Sequence, residues 1–274
     1  TSAMNALNYH KSSAFIAKMR TFTTNFFIMR LLYLIILFIS LCNPSFLRAQ
    51  TTSPYRLIPL RESLLLGGSA LSIGTSFYLK QNKPTLTQQQ IEAAMANPKC
   101  PPWECFVTRN WSLPAQHKSD ILMYGAMAMP LTLFLSPKVR ANAPQASLIG
   151  LEAYLLTGAL TNLTKELVQR RRPFVYNPNA PFAEKSKHDA SSSFFSGHTS
   201  YTATACFMTA TMYSHYYPHS KWTPSIWTGA ALIPLATAYY RVRGGKHFVS
   251  DVLVGYLVGA AVGILVPQWH KIRG

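Results

Sequence analysis

At 274 residues the chain is long enough for one ordinary domain with a core of good size. Hydrophobic residues make up 49% and charged residues only 13%, well under the roughly 25% of a soluble domain, which argues against an ordinary soluble globule. Lysine and arginine number 26 against 9 acidic residues, a net +17; with no basic stripe interleaved with aromatics, nucleic acid gives way to anionic lipid, phosphorylated substrates or membrane-loop charge as the reason.

Residues 1–49 read as a signal peptide. Lys11, Lys18, Arg20 and Arg30 form a basic n-region, and Leu31 to Leu41 form an apolar h-region. Leu47-Arg48-Ala49 is a cleavage site that leaves Gln50 first, although a small residue is missing two positions before Ala49. Met4, Met19 and Met29 are alternative starts. Cys42 makes a poor lipoprotein box, because Leu41 stands where a small residue belongs.

Residues 50–119 form an N-terminal segment. Leu64 to Leu79 is apolar but shorter than the roughly 20 residues a span needs, so it reads as a buried or interfacial helix. The polar stretch that follows holds Cys100 and Cys105. Zinc would need two more ligands nearby; a local disulfide suits an exported loop, with two free thiols as the alternative.

Five apolar segments follow: Asp120 to Leu135, Leu148 to Leu163, Thr199 to Tyr217, Ser225 to Tyr239 and Val252 to Val266. Cys206, within the third, reads as a core residue. The fold class is all-α, a helical bundle with about five to six mostly membrane-embedded helices. If Leu64 to Leu79 does not span and the signal is cleaved, Lys138, Arg140, Lys221, Lys271 and Arg273 fall inside, as the positive-inside rule prefers. The intervening polar loops then lie outside, in the periplasm of a bacterial-type envelope. If Leu64 to Leu79 spans, every later location inverts.

Three polar islands carry candidate chemistry. Lys165 and Arg172 are seven residues apart, two helical turns, so a continuous helix would project both from one face to grip a dianion before Pro173 ends it. Ser196-Gly197-His198 precedes an apolar helix: Gly197 permits close backbone approach, the helix start offers N–H groups to an anion, and His198 can act as general acid. Arg241 adds a third cation. His247 and Asp251 are four apart, so on a helix they can hydrogen-bond, leaving the other ring nitrogen free to attack phosphorus. Taken singly, each island has a bland reading: a membrane-flanking basic cluster, a serine-rich loop, a helix-surface pair.

In order, these islands resemble the type 2 phosphatidic acid phosphatase superfamily, which includes bacterial class A acid phosphatases and vanadium haloperoxidases. The resemblance covers roughly residues 120–267 and sets a phosphatase domain at 120–270. It implies His247 as a nucleophile supported by Asp251, and His198 as the acid that protonates the leaving group. Lys165, Arg172, Ser196, Gly197 and Arg241 would bind the phosphate. No metal or cofactor is called for, because cations and N–H groups stabilise the charge. Two positions depart from the family's pattern, Phe195 where proline is usual and Tyr240 where serine is usual; neither removes a catalytic group.

The expected activity is hydrolysis of phosphate monoesters or pyrophosphates, of a lipid or a small ester, through a phosphohistidine. A soluble periplasmic acid phosphatase, a vanadate-dependent haloperoxidase and a non-catalytic lipid-binding membrane protein are the alternatives. Outside the islands, His188-Asp189 reads as a solvated loop pair, His117 and Asp120 as an interfacial cap, and Glu152 as a proton relay or a partner of Asn162.

Overall fold

The computed structural model describes residues 53–272; the signal-peptide reading of 1–49 lies outside them. The described residues are all-helical, with nine α-helices and a single isolated β-bridge, Tyr55 to Lys271.

Six long rods run alternately up and down. The helix α1 (Pro59–Asn82) starts on Pro59, and the Glu62 carboxylate accepts from the Ile58 N–H at 2.6 Å. After the short α2 (Gln88–Ala96), set by a Thr87–Gln90 capping box, α3 (Leu113–Ala128) runs down from its Ser112 cap. A 3₁₀ stretch (Met129–Leu135) and α4 (Pro137–Arg140) turn the chain into the long α5 (Ala143–Val168). At the upper end α6 (Phe182–Lys185) lies in a loop before α7 (Gly197–Tyr216) descends. Then α8 (Thr223–Arg243) rises and α9 (Val249–His270) descends.

Close contacts fix the alignment of α7 and α9, whose starts carry Ser196, Gly197, His198 and Asp251. Gly255, Gly259 and Gly263 recur every four residues on α9. A Cβ at these positions would lie 2.6, 2.2 and 2.7 Å from the carbonyl oxygens of Ser196, Ser200 and Thr204. Only glycine lets the two backbones come this close. Hydroxyls then bridge the interior: Thr157 to Thr204 at 2.8 Å, Thr161 to Ser200 at 3.1 Å, and Thr204 donating to the Gly259 carbonyl at 3.2 Å. The buried upper part of α7 is thus rich in small and hydroxyl side chains, with Phe207, Met208 and Met212 below them, while many leucines point outward from the bundle.

The helix α1 extends beyond the apolar stretch Leu64 to Leu79 at both ends. Its 24 residues measure about 36 Å, and it lies along α5 from one end of the bundle to the other. At the lower end Glu62 is 2.9 Å from His270, which also meets Glu152 at 3.0 Å; at the upper end Lys83 pairs with Glu166 at 2.7 Å. Glu152 therefore pairs with His270, not Asn162. With six rods, residue 53 and the polar islands lie at opposite ends. By length and composition together, α9 is the one helix among the described residues that is long and apolar enough to cross a bilayer.

Candidate active site

All three islands converge at the upper end of the bundle. Lys165 lies in the last turn of α5. That helix stops sooner than the two-turn spacing implied: Gln169 takes a left-handed conformation (φ 49°), and Arg170 to Arg172 leave the helix. Arg172, at φ −74° and ψ 153°, reaches the site from an extended segment, not from the helix face of Lys165. Its backbone N–H donates to the Ala190 carbonyl at 2.8 Å.

The Arg172 guanidinium is buried and held by four hydrogen bonds. Nε and Nη2 donate to the Asp189 carbonyl (2.9 Å) and carboxylate (2.8 Å). Nη1 donates to the Lys246 carbonyl (3.1 Å) and to His247 Nε2 (3.2 Å). Asp189 is therefore the clamp on Arg172 rather than a solvated partner of His188. Burial alone would raise its pKa; the Arg172 and Lys165 cations outweigh this and hold the carboxyl well below the usual range.

Ser196 caps α7, its hydroxyl 3.0 Å from Thr199 Oγ1. A Cβ on Gly197 would sit 3.4 Å from Lys165 Nζ, so the ammonium lies directly over the helix start. His198 Nε2 bonds to Asp120 Oδ1 at 2.8 Å, and Arg241 Nη1 lies 3.6 Å from the same oxygen. Asp120, read as a helix cap, is the carboxylate that joins the second and third islands. Arg241 also donates to Ser119 at 3.2 Å, while its buried Nε has no hydrogen-bond partner among the described residues.

His247 lies in the loop between α8 and α9 and is 1% exposed. Its Nδ1 is 3.7 Å from Asp251 Oδ2, an ion-pair distance and too long for the expected hydrogen bond. Both Asp251 oxygens are engaged elsewhere. Oδ1 accepts from Arg170 (2.5 Å), and Oδ2 accepts from Ser193 (2.5 Å) and the Phe248 N–H (2.9 Å). The Asp251 carbonyl accepts from the Ser196 N–H at 2.9 Å, tying the second island to the third. With Nε2 accepting from Arg172, the ring is neutral and Nδ1 carries the proton. Burial, then the Arg172, Arg241 and Lys165 cations, push its pKa well below the usual imidazole value.

Chemically, this is a cradle of three cations over a helix start, with one neutral imidazole and one carboxylate-paired imidazole. It suits a tetrahedral oxyanion. A cavity lined by Lys165, Asp189, Ser192, Ser76, Lys80 and Phe77 leads away from it between α1 and α5. In the loop above, Cys100 and Cys105 are disulfide-bonded with Cα atoms 5.4 Å apart. Cys206 is buried within α7.

Sequence reasoning passed over Asp120, Asp189, Arg170 and Glu104. Among these, Asp189 drew notice beside His188 as a solvated loop pair, and Asp120 beside His117 as an interfacial cap. Comparison with known proteins agrees with the motifs. The family model described as PAP2 superfamily matches residues 146–274, which include all three islands. Among solved structures the chain is similar to a transmembrane PAP2 type phosphatidylglycerolphosphate phosphatase from Bacillus subtilis. That likeness has 23% identity and a TM-score of 0.44, over 73% of this chain and 94% of that one. No curated protein matches the chain. Residues 146–274, which carry the Lys165–Arg172, Ser196-Gly197-His198 and Arg241–His247–Asp251 motifs, are thus similar to the PAP2 superfamily.

Proposed function

We propose that the protein is a membrane-embedded phosphatase that cleaves phosphate monoesters or pyrophosphates of lipids through a phosphohistidine on His247. One observation carries the reading: His247 Nε2, unprotonated, rests 3.2 Å from the Arg172 guanidinium, one of the cations that would hold the phosphate. Lys165, Arg172 and Arg241 bind the oxygens, Arg241 Nε among the donors, with the Gly197 N–H and the Ser196 hydroxyl at the helix start.

The His247 Nε2 lone pair attacks phosphorus. The bond from phosphorus to the leaving oxygen breaks, and that oxygen keeps the electron pair and takes a proton from His198. Asp120 orients His198 and offsets its charge. Water then attacks the phosphohistidine, gives a proton to His198 and releases phosphate with an intact His247. No step calls on a metal.

Two features support a lipid substrate in a bilayer. Large apolar side chains line the outside of the bundle: Leu71, Ile121, Leu135 and Leu257 are 74, 72, 78 and 66% exposed. Exposed leucine at this density is costly in water and favourable in hydrocarbon. A separate groove between α1 and α5 is lined by Leu64, Gly68, Leu156, Leu160, Leu163 and Leu167, an apolar surface suited to an acyl or prenyl chain.

The site faces the exported side. The disulfide in the loop at that end supports this, since such bonds persist in oxidising compartments. Cysteines introduced near Lys187 test it: in intact cells an impermeant maleimide labels them, and labelling only after lysis contradicts it. For activity, the test is phosphate release from a panel of lipid and soluble phosphates with chelator present. Wild type acts and His247→Ala does not; undiminished release by His247→Ala overturns the assignment.

A further inference from the structure

The mechanism above leaves unexplained how Asp251 is kept facing His247 without a direct hydrogen bond. We propose that Glu104 and Arg170 are positioning residues for the nucleophile and that the Cys100–Cys105 bridge holds Glu104 in place. The inference rests on the reading of His247 as the nucleophile.

Arg170 is a bridge between two buried carboxylates. Its Nη1 donates to Asp251 Oδ1 and its Nη2 to Glu104 Oε1, both at 2.5 Å. The guanidinium lies 4.2 Å over the ring of Phe248, the residue after His247. Its planar fork serves both acids at once, which a lysine could not do. Glu104 is 1% exposed and grips the first turn of α9 as well. It accepts from the Ser250 N–H at 3.0 Å and from the Ser250 hydroxyl at 2.8 Å. So one carboxylate locks both Arg170 and the backbone next to Asp251. Arg170 in turn fixes the Asp251 carboxylate with Oδ2 toward His247 and neutralises part of its charge.

Glu104 sits inside the loop closed by the disulfide, and its backbone N–H and that of Cys105 both donate to the Pro101 carbonyl at 3.1 Å. Without the bridge, the six-residue loop keeps only these turn bonds of its own to hold the Glu104 backbone. Neither Glu104 nor Arg170 belongs to the three motifs. In the sequence, Arg170 is the first of three arginines and reads as flanking charge.

The test uses the full chain in detergent micelles and dioctanoyl phosphatidic acid, or the panel member wild type hydrolyses fastest. kcat, KM and the pH profile are measured for wild type, Arg170→Gln, Arg170→Lys, Glu104→Gln and His247→Ala. Arg170→Gln is expected to lower kcat roughly 10–100-fold, the usual scale for groups that orient a reacting residue, with KM little changed. Its acid limb moves to higher pH, because Asp251, no longer neutralised, favours the protonated His247. Arg170→Lys recovers part of the loss, and Glu104→Gln lowers kcat severalfold.

Dithiothreitol lowers wild-type kcat to the Glu104→Gln level and has no further effect on that variant. Among the described residues the remaining cysteine, Cys206, is free, so Cys100–Cys105 is the bridge there for dithiothreitol to reduce. Wild-type kcat and pH profile in Arg170→Gln, or a loss confined to KM, overturns the positioning role. Equal sensitivity of wild type and Glu104→Gln to dithiothreitol overturns the disulfide link. If Arg170→Gln does not fold, Arg170→Lys and Glu104→Gln carry the same comparison. Full activity in His247→Ala would instead remove the nucleophile on which the inference rests, whereas its inactivity beside a normal Arg170→Gln refutes the inference alone.

Discussion

Replacing Gly259 by alanine tests whether the packing of α7 on α9 sets the chemistry. The added Cβ would lie 2.2 Å from the Ser200 carbonyl oxygen and 2.9 Å from Ala203 Cβ, both rigid neighbours. To restore ordinary contact the two helices must separate by about 1 Å, since packed interiors do not yield. Overpacking of this kind costs about 1–3 kcal/mol in stability. The larger effect is on alignment. Gly259 is about 12 Å along α9 from Asp251, so it touches no reacting group. Yet the first turn of α9 carries Asp251 and that of α7 carries His198, and a misplacement of 1 Å can cost about 100-fold in rate. Phosphate release by Gly259→Ala, alongside its melting temperature in detergent, reads both. Gly229→Ala is the control, as a Cβ there meets nothing within 4 Å. We expect Gly259→Ala to be folded, modestly destabilised and about 100-fold slower, with Gly229→Ala unchanged. A folded Gly259→Ala with wild-type kcat would refute the reasoning.

Three further outcomes follow from the site. Asp120→Asn leaves His198 without its charged partner; the loss should fall in the range of about 10²–10⁴ that general acids supply. It should be large for alkyl phosphates and small for p-nitrophenyl phosphate, whose leaving group needs no proton, so equal losses on both count against His198 as the acid. Burial and neighbouring cations hold His247 well below the usual imidazole range. The acid limb of kcat/KM that it sets therefore lies below pH 6.5, and Arg172→Gln, by removing one cation, moves that limb to higher pH; a limb that stays or falls contradicts this. Asp189→Asn frees the Arg172 clamp, which should raise KM several-fold for any phosphate substrate, measured by initial rates.

The helices and the motif residues were legible because each announces itself locally. Apolar runs mark rods, and the side chains that bind phosphate, donate protons or attack are few in kind. What escaped depends on contacts distant in sequence. The extent of α1 was hidden because Glu62 and Lys83 look like the ends of a surface helix; His270 and Glu166, from other rods, make their burial tolerable. Asp120 is 78 residues from His198, and nothing in its neighbourhood marks it as that ring's partner. The Lys165–Arg172 spacing suggested one helical face, but the left-handed Gln169 ends the helix. The two cations still share a site, by a route that spacing alone does not reveal. Arg170 was obscured by two identical neighbours, and Glu104 by lying in a loop whose cysteines drew the attention.

The central claim is that phosphorus is transferred to His247. Brief incubation of the protein with a ³²P-labelled lipid phosphate it hydrolyses, followed by denaturation, should leave label on the chain. The account predicts a label stable in alkali, lost in acid, located on the peptide containing His247 and missing from His247→Ala. Label of the same stability on His247→Ala, or none on a wild-type protein quenched during rapid turnover, would contradict it.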